Sequence, residues 1–261
     1  MSAGVGKISR LLGRAGRRER GGQGQSEQMT ESLRAVLFDM DGTLVETEEH
    51  WGEALFALAE RLGGRLSPEA RQATVGSSMR TSMEILYRDL GVSRTEDELL
   101  ADSRWVEDTT ADLLSEAITW RPGAADLLLS VRDAGLATAL VTTTPRRIAD
   151  IVLTAIRSDL GSDPFDLTLC GDEVPARKPD PAPYVMAMDA LGVQPGECVV
   201  IEDSQAGIAA GLAAGTAVLG VPTMQVVPPA PGLSLRDGLV GIGPADLAEL
   251  LSEADLDDSA A

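Results

Sequence analysis

Leu33-Arg34-Ala35-Val36-Leu37-Phe38-Asp39-Met40-Asp41-Gly42-Thr43 decides how the rest of this chain is read. A short, largely apolar run of strand type ends in two carboxylates and a glycine. Like charges two residues apart repel, and burying either costs several kcal/mol unless a cation sits beside it. Asp39 and Asp41 therefore read as half of a site completed by residues far along the sequence.

Outward from this stretch, helical and strand patterns alternate. Residues 124–134 read as a helix stopped by Gly135, and residues 137–141 as a strand ending in Thr142-Thr143-Thr144. Pro145 opens the next helix, residues 165–169 form a third strand, and residues 181–191 a helix stopped by Gly192. Residues 197–201 form a fourth strand ending in Glu202-Asp203, with Ser204 placed to cap the helix that follows. Residues 216–221 make a fifth strand, the proline-rich stretch 222–231 a loop, and residues 244–251 a last amphipathic helix. Such alternation predicts an α/β fold, a parallel sheet covered by helices on both faces. Ligands of such sheets bind beyond the carboxyl ends of the strands. Asp39, Asp41, Thr142, Lys178, Glu202 and Asp203 all fall at or just after those ends.

Between residues 47 and 120 no strand pattern occurs. Trp51, Leu55, Leu58 and Leu62 share one helical face before Gly63-Gly64. Ser67-Pro68-Glu69 is a helix start, and residues 82–90 and 95–118 complete four helices, a small all-helical bundle inserted after the first strand. The expected organisation is thus a core made of residues 29–46 and 121–261, and a helical domain of residues 47–120. Residues 1–28 differ: they hold six basic and two acidic side chains and the low-complexity run GGQGQSEQ, which predicts disorder. A basic tail, a transit-like presequence and a start upstream of a true initiator at Met29 are the three readings, and the last is preferred.

The formal net charge of −19 argues against nucleic acid and anionic membranes as partners. No apolar run approaches the roughly 18 residues of a membrane span. Cys170 and Cys198 fall in strand-like stretches and read as buried thiols of a reducing cytoplasm. His50 is the one histidine, which all but removes serine–histidine chemistry. Only Lys7 and Lys178 are lysine in a chain that otherwise prefers arginine, so Lys178 signals a need for a compact ammonium.

Four carboxylates, a hydroxyl and a lysine on one sheet edge form an oxygen-rich pocket suited to Mg²⁺, which takes one or two carboxylates, water and substrate phosphate. The backbone amides after Asp39 and at Thr143 are available to phosphate oxygens. Without a histidine, a carboxylate becomes the nucleophile: Asp39 attacks phosphorus and forms an aspartyl-phosphate. Asp41 offers the metal its backbone carbonyl and aims its side chain at the leaving group.

The motifs FDMDGT, LVTTT, RKPDP and IEDS, in that order, resemble the four motifs of the haloacid dehalogenase superfamily, in its phosphatase and phosphoglucomutase-like group. The resemblance covers residues 33–251. It implies a Rossmann-like core with a mobile helical cap whose hinge begins at Thr43 and Leu44. It implies Asp39 as nucleophile, Asp41 as general acid and base, and Thr142 and Lys178 as holders of the phosphoryl group. The metal would sit on Asp39, Asp41, Asp203 and Glu202. Dehalogenases of the superfamily lack the second aspartate, so Asp41 argues for phosphate. In the cap, His50 and Arg80 resemble substrate-facing positions, while a cap with no lysine favours hydrolysis over a mutase. Arg146 and Arg147 open a helix beside Thr142; solvation on the helix surface is the default reading of both, and contact with substrate the alternative. The expected protein is a cytoplasmic Mg²⁺-dependent phosphatase, monomeric or weakly dimeric, acting on a small phosphate ester, a sugar phosphate being favoured. The alternatives are a phosphoglucomutase-like isomerase and a signalling domain merely phosphorylated on Asp39, which would have no use for Asp41.

Overall fold

The structure, a computed structural model, describes residues 33–114, 118–223 and 225–258. The expectations for residues 1–28 and Met29 lie outside the described residues.

Strand β1 (Ala35–Phe38) is the middle of a fully parallel sheet. It is flanked by β2 (Ala137–Val141) and β4 (Cys198–Glu202). Outside these lie β3 (Leu167–Leu169) on one side and β5 (Ala217–Gly220) and β6 (Leu233–Leu235) on the other, in the order β3-β2-β1-β4-β5-β6. Every residue of β1, β4 and β5 is buried, as expected of strands covered on both faces. Alternate side chains of β1 serve opposite cores. Val36 and Phe38 pack with α5 (Ala124–Asp133), α6 (Arg146–Leu160) and α9 (Pro244–Asp258). Ala35 and Leu37 pack with α7 (Ala182–Leu191) and α8 (Gln205–Ala213). Burying a side chain such as Leu37 or Phe38 contributes about 1.5–3 kcal/mol.

Between β1 and α5 lie α1 (Glu48–Arg61), α2 (Pro68–Thr74), α3 (Met79–Leu90) and α4 (Glu96–Leu114). They build a separate hydrophobic cluster around Leu55, Leu58, Met83, Leu86 and Val106. Ser67 caps α2 through the Ala70 amide (3.1 Å), and Ser78 caps α3 through Thr81 (3.2 Å), three residues earlier than the pattern indicated. The α4 helix is described to Leu114, and the rest of its expected span reaches residues 115–117, outside the described set. The chain enters and leaves this bundle side by side. Glu46 donates its amide to the Thr119 carbonyl, and Arg121 donates to that of Leu44, both at 2.8 Å. The Arg121 guanidinium also meets Glu46 at 2.5 Å.

One strand was not foreseen. Leu233–Leu235 adds β6 at the edge of the sheet, in the stretch following the expected loop. Three half-buried residues give too short a pattern to separate from loop.

Candidate active site

The sheet register brings the site together. Phe38 pairs with Leu140 on one side and Ile201 on the other, so the next residues, Asp39, Val141 and Glu202, end their strands at one level. The turn after Asp39 is possible because Gly42 adopts a φ of 79°, and any side-chain carbon there would run into the Asp203 carboxylate.

Lys178 reaches this level from the loop before α7. Its ammonium donates to Asp39 Oδ1 (2.7 Å), Glu202 Oε1 (2.6 Å) and the Val141 carbonyl (2.7 Å). These three bonds use its three protons, so Lys178 orients and neutralises Asp39, and any grip on a phosphoryl oxygen has to be shared with one of them. Burial opposes its charge, but Asp39 and Glu202 outweigh that and hold its pKa above the usual lysine value. Tyr184 of α7 supports the pair. Its hydroxyl donates to Glu202 Oε1 (2.8 Å), and its ring lies 5.0 Å below the ammonium.

Asp39, Glu202 and Asp203 are buried, with carboxylate oxygens within 4.8 Å of one another. Burial, then Glu202 and to a smaller extent Asp41, push the pKa of Asp39 up to about 8 against the pull of Lys178. Asp203 is raised well above the carboxylate range by burial, then by Asp39 and Glu202. Three buried carboxylates around one ammonium are short of positive charge, and oxygen donors of this kind fit a hard divalent cation. Within the cluster, Glu202 is the least available. Its Oε1 accepts from Lys178 and Tyr184, and its Oε2 from the Ser204 amide (3.3 Å) and hydroxyl (3.1 Å). Among the described residues, Asp203 accepts only a long bond from Thr43 Oγ1 (3.4 Å).

Asp41 points away from this cluster, toward the helical bundle. Its Oδ1 accepts from Thr47 Oγ1 (2.5 Å) and Trp51 Nε1 (3.3 Å), and its Oδ2 from Thr142 Oγ1 (3.0 Å) and Thr144 Oγ1 (2.7 Å). As a ligand, its side chain is therefore outside the carboxylate group. Thr142 spends its proton on Asp41 and accepts from the Thr144 amide (3.0 Å). Of the threonine run after β2, Thr143 and Thr144 line the cleft and Thr142 does not. Thr144, Thr47 and Trp51 were missed as partners of Asp41. Thr144 was legible as the last residue of the quoted threonine run, whereas Trp51 reads in sequence as a core position of a helix.

Above the carboxylates the cleft is closed by Glu48, Trp51, Leu55, Arg71, Thr74 and residues 76–79. Arg71 is held inside it by Glu48 (3.0 Å) and the Glu48 carbonyl (2.6 Å). The two substrate-facing cap residues suggested by sequence lie elsewhere. His50 is half-buried and does not line the cleft; its neighbour Trp51 takes that place. Arg80 pairs with Glu96 on the outside of α3 and borders only a wider groove beside the cleft. Its exposed head is satisfied by the carboxylate one helix over, a contact that spacing along one helix does not reveal. Arg146 is not a solvated residue either: it binds Glu173 (2.7 Å) and the Thr168 carbonyl (2.9 Å). Arg147 reaches across to Glu107 (3.2 Å) and Asp108 (2.8 Å) of α4. Cys170 and Cys198 are free and buried, as expected.

A family model described as haloacid dehalogenase-like hydrolase matches residues 33–215. The chain belongs to that family. The hydrolase is 34% identical over 200 residues to Protein CbbY of Rhodobacter capsulatus, covering 73% of its own length and 86% of that protein. It is 33% identical over 183 residues to the phosphorylated carbohydrates phosphatase of Thermotoga maritima, covering 70% and 82%. Among solved structures, CbbY from Rhodobacter sphaeroides in complex with phosphate superposes with a TM-score of 0.70 at 28% identity, over 82% of the hydrolase and 99% of that chain. A β-phosphoglucomutase from Clostridium difficile shares the fold, with a TM-score of 0.73 at 23% identity over 86% of this chain and 99% of that one. The hydrolase is a phosphoric monoester hydrolase of the haloacid dehalogenase group. No helix among its described residues is long and apolar enough to cross a membrane.

Proposed function

We propose that the hydrolase cleaves a small phosphorylated metabolite, a sugar phosphate in the first instance, through a covalent phosphate on Asp39. The observation that carries this reading is the contrast between the two aspartates that follow β1. Asp39 lies in the buried carboxylate–lysine cluster, while Asp41 faces the cleft held only by neutral donors. An ester phosphate entering between them meets a nucleophile below and a proton carrier above. Asp39 attacks phosphorus as the ester oxygen departs with a proton from Asp41. Asp41 then takes a proton from the water that attacks the aspartyl-phosphate, and inorganic phosphate leaves with Asp39 restored. Thr143 and Thr144 border the phosphoryl position, and Lys178 holds Asp39 in line. Asp39, Asp203 and the backbone carbonyl of Asp41 would hold Mg²⁺, with Glu202 behind them. When bound, that cation supplies the missing positive charge and neutralises the phosphoryl oxygens.

We place the mobile cap at residues 47–120, its hinge being the paired crossing at Glu46 and Arg121. The relative named for phosphorylated carbohydrates, and the hydroxyls of Ser77 and Ser78 before α3 and of Ser82 on its first turn, support a sugar or polyol phosphate. Two free buried thiols fit a reducing cytoplasm. The test is phosphate release from a panel of phosphorylated metabolites with Mg²⁺, alongside Asp39→Asn. The unsubstituted chain is expected to release phosphate and to trap a phosphoenzyme, and Asp39→Asn to retain less than about one percent of turnover with no phosphoenzyme. Isomerisation of a glucose phosphate without net phosphate release would replace this reading with a mutase.

A further inference from the structure

The cleft has three cations on its walls, and they are not equivalent. Lys178 is spent on Asp39 and Glu202, and Arg71 on Glu48. Arg177 is the third, and among the described residues it has no carboxylate partner. Its one side-chain bond runs from Nε to the Gly171 carbonyl at 2.8 Å. Nearby carboxylates are not lacking: Asp172, Glu173 and Asp180 lie within a few residues. Each is engaged elsewhere. Asp172 accepts from the Arg146 amide (2.8 Å), Glu173 from the Arg146 guanidinium, and Asp180 from the Ala182 amide (2.9 Å).

The single bond that Arg177 makes is an aiming contact. Gly171 donates its amide to the Thr144 carbonyl (3.0 Å), and its α-carbon sits so close to the Thr143 carbonyl that no side chain fits there. Through Gly171 the guanidinium is tethered to the threonine loop that borders the phosphoryl position. Among the described residues its terminal nitrogens have no partner, and Arg177 lines both the cleft and the open groove beside it. In a chain of net charge −19, a second negative group on a substrate is repelled everywhere except where a local cation receives it.

We infer that Arg177 is a specificity residue that receives a second anionic group of the substrate, a carboxylate or a second phosphate, so that the preferred esters carry an anionic group beyond the reacting phosphate, unlike simple polyol phosphates. This rests on the phosphatase reading and narrows it. A guanidinium fork tethered at Nε presents paired N–H donors to a planar carboxylate or to two phosphate oxygens. The reacting phosphate lies over Asp39, and the second anion lies at the cleft mouth between the threonine loop and Ser77-Ser78.

Calorimetric binding in Mg²⁺ buffer tests this without turnover, using Asp39→Asn as background and adding Arg177→Ala or Arg177→Lys. The probes are 2-phosphoglycolate, fructose 1,6-bisphosphate and glycerol 3-phosphate. The expected result is that Arg177→Ala raises the ratio of dissociation constants, each ester with a second anionic group over glycerol 3-phosphate, roughly tenfold or more. Arg177→Lys should recover part of that loss, since it restores charge without the fork. Preference for the carboxylate or the bisphosphate ester then names the source of the second anion. An unchanged ratio, or an Asp39→Asn protein that binds glycerol 3-phosphate more tightly than both others, overturns the inference. Failure of the phosphatase reading is seen separately, as no phosphate release by the unsubstituted chain from any ester, p-nitrophenyl phosphate included.

Discussion

Asp39 and Asp41 stand two residues apart and live in opposite surroundings. One is locked to an ammonium under the sheet edge, and the other is ringed by three hydroxyls and an indole. Asp41→Asn keeps the ring partly satisfied but removes the proton. It should slow esters with poor alkoxide leaving groups at least tenfold more than p-nitrophenyl phosphate, whose leaving group needs no acid. Steady-state rates on both substrates check this, and equal losses would count against the acid role. The saturated oxygens of Glu202 imply a division of labour with Asp203. Asp203→Asn should weaken Mg²⁺ binding by tenfold or more in calorimetry. Glu202→Gln should leave it within a few-fold while depressing turnover through Lys178. The reverse order would return Glu202 to the metal. At this scale the sequence disclosed what is local: FDMDGT, the lone internal lysine and the acidic end of β4. It concealed Thr47, Trp51 and Tyr184, because their contacts depend on how a helix is rotated against the sheet, and periodicity reports only that they face inward.

Helices α1–α4 are tied to the core by more than the paired crossing at Glu46 and Arg121. Gln225 accepts from the Gln205 amide at the start of α8 (2.8 Å) and donates to the Val75 carbonyl after α2 (2.7 Å). On another side, Arg147 of α6 pairs with Glu107 and Asp108 of α4. Exposed ion pairs contribute little, about 0–1 kcal/mol, whereas the part-buried amide contact contributes about 1 kcal/mol. Gln225→Ala should therefore speed amide exchange in residues 75–78 about fivefold and leave β1 and β4 unchanged, as mass-spectrometric hydrogen exchange would show. Accelerated exchange in the strands as well would mean that the substitution loosens the core and not only the contact between Gln225 and Val75. Most elements were legible because strands buried on both faces are continuous apolar runs and the glycine stops are sharp. The edge strand β6 was not, since three residues beside prolines carry no period.

For the molecule as a whole, the charge balance of the cluster predicts how stability follows pH. A carboxylate whose folded pKa is raised binds a proton that the unfolded chain has already lost. Its stabilising contribution is complete below the ordinary carboxylate value and is lost as pH rises through the folded value. For Asp39 that window runs from about 4 up to about 8, and Asp203 acts in the same direction. Carboxylates with lowered values, such as Glu197 and Asp166, gain their effect below this window and leave it alone. The metal-free hydrolase should lose melting temperature by several degrees between pH 5 and pH 8, and Mg²⁺ should restore more at pH 8 than at pH 5. Thermal scans with and without EDTA would show it. A flat difference would mean that the cluster is not short of positive charge.

The place of β1 in the sheet has a consequence for biosynthesis. Val36 finds its two neighbours at Thr138 and Val199, so the first strand made is among the last to be enclosed. A ribosome must deliver about 160 further residues before Asp39 meets Asp203, while the bundle of residues 54–106 can close over short loops much earlier. Nascent chains that stop short of β4 would carry a collapsed helical lobe and a bare apolar ribbon, a form that needs shelter from aggregation until the last third of the polypeptide emerges.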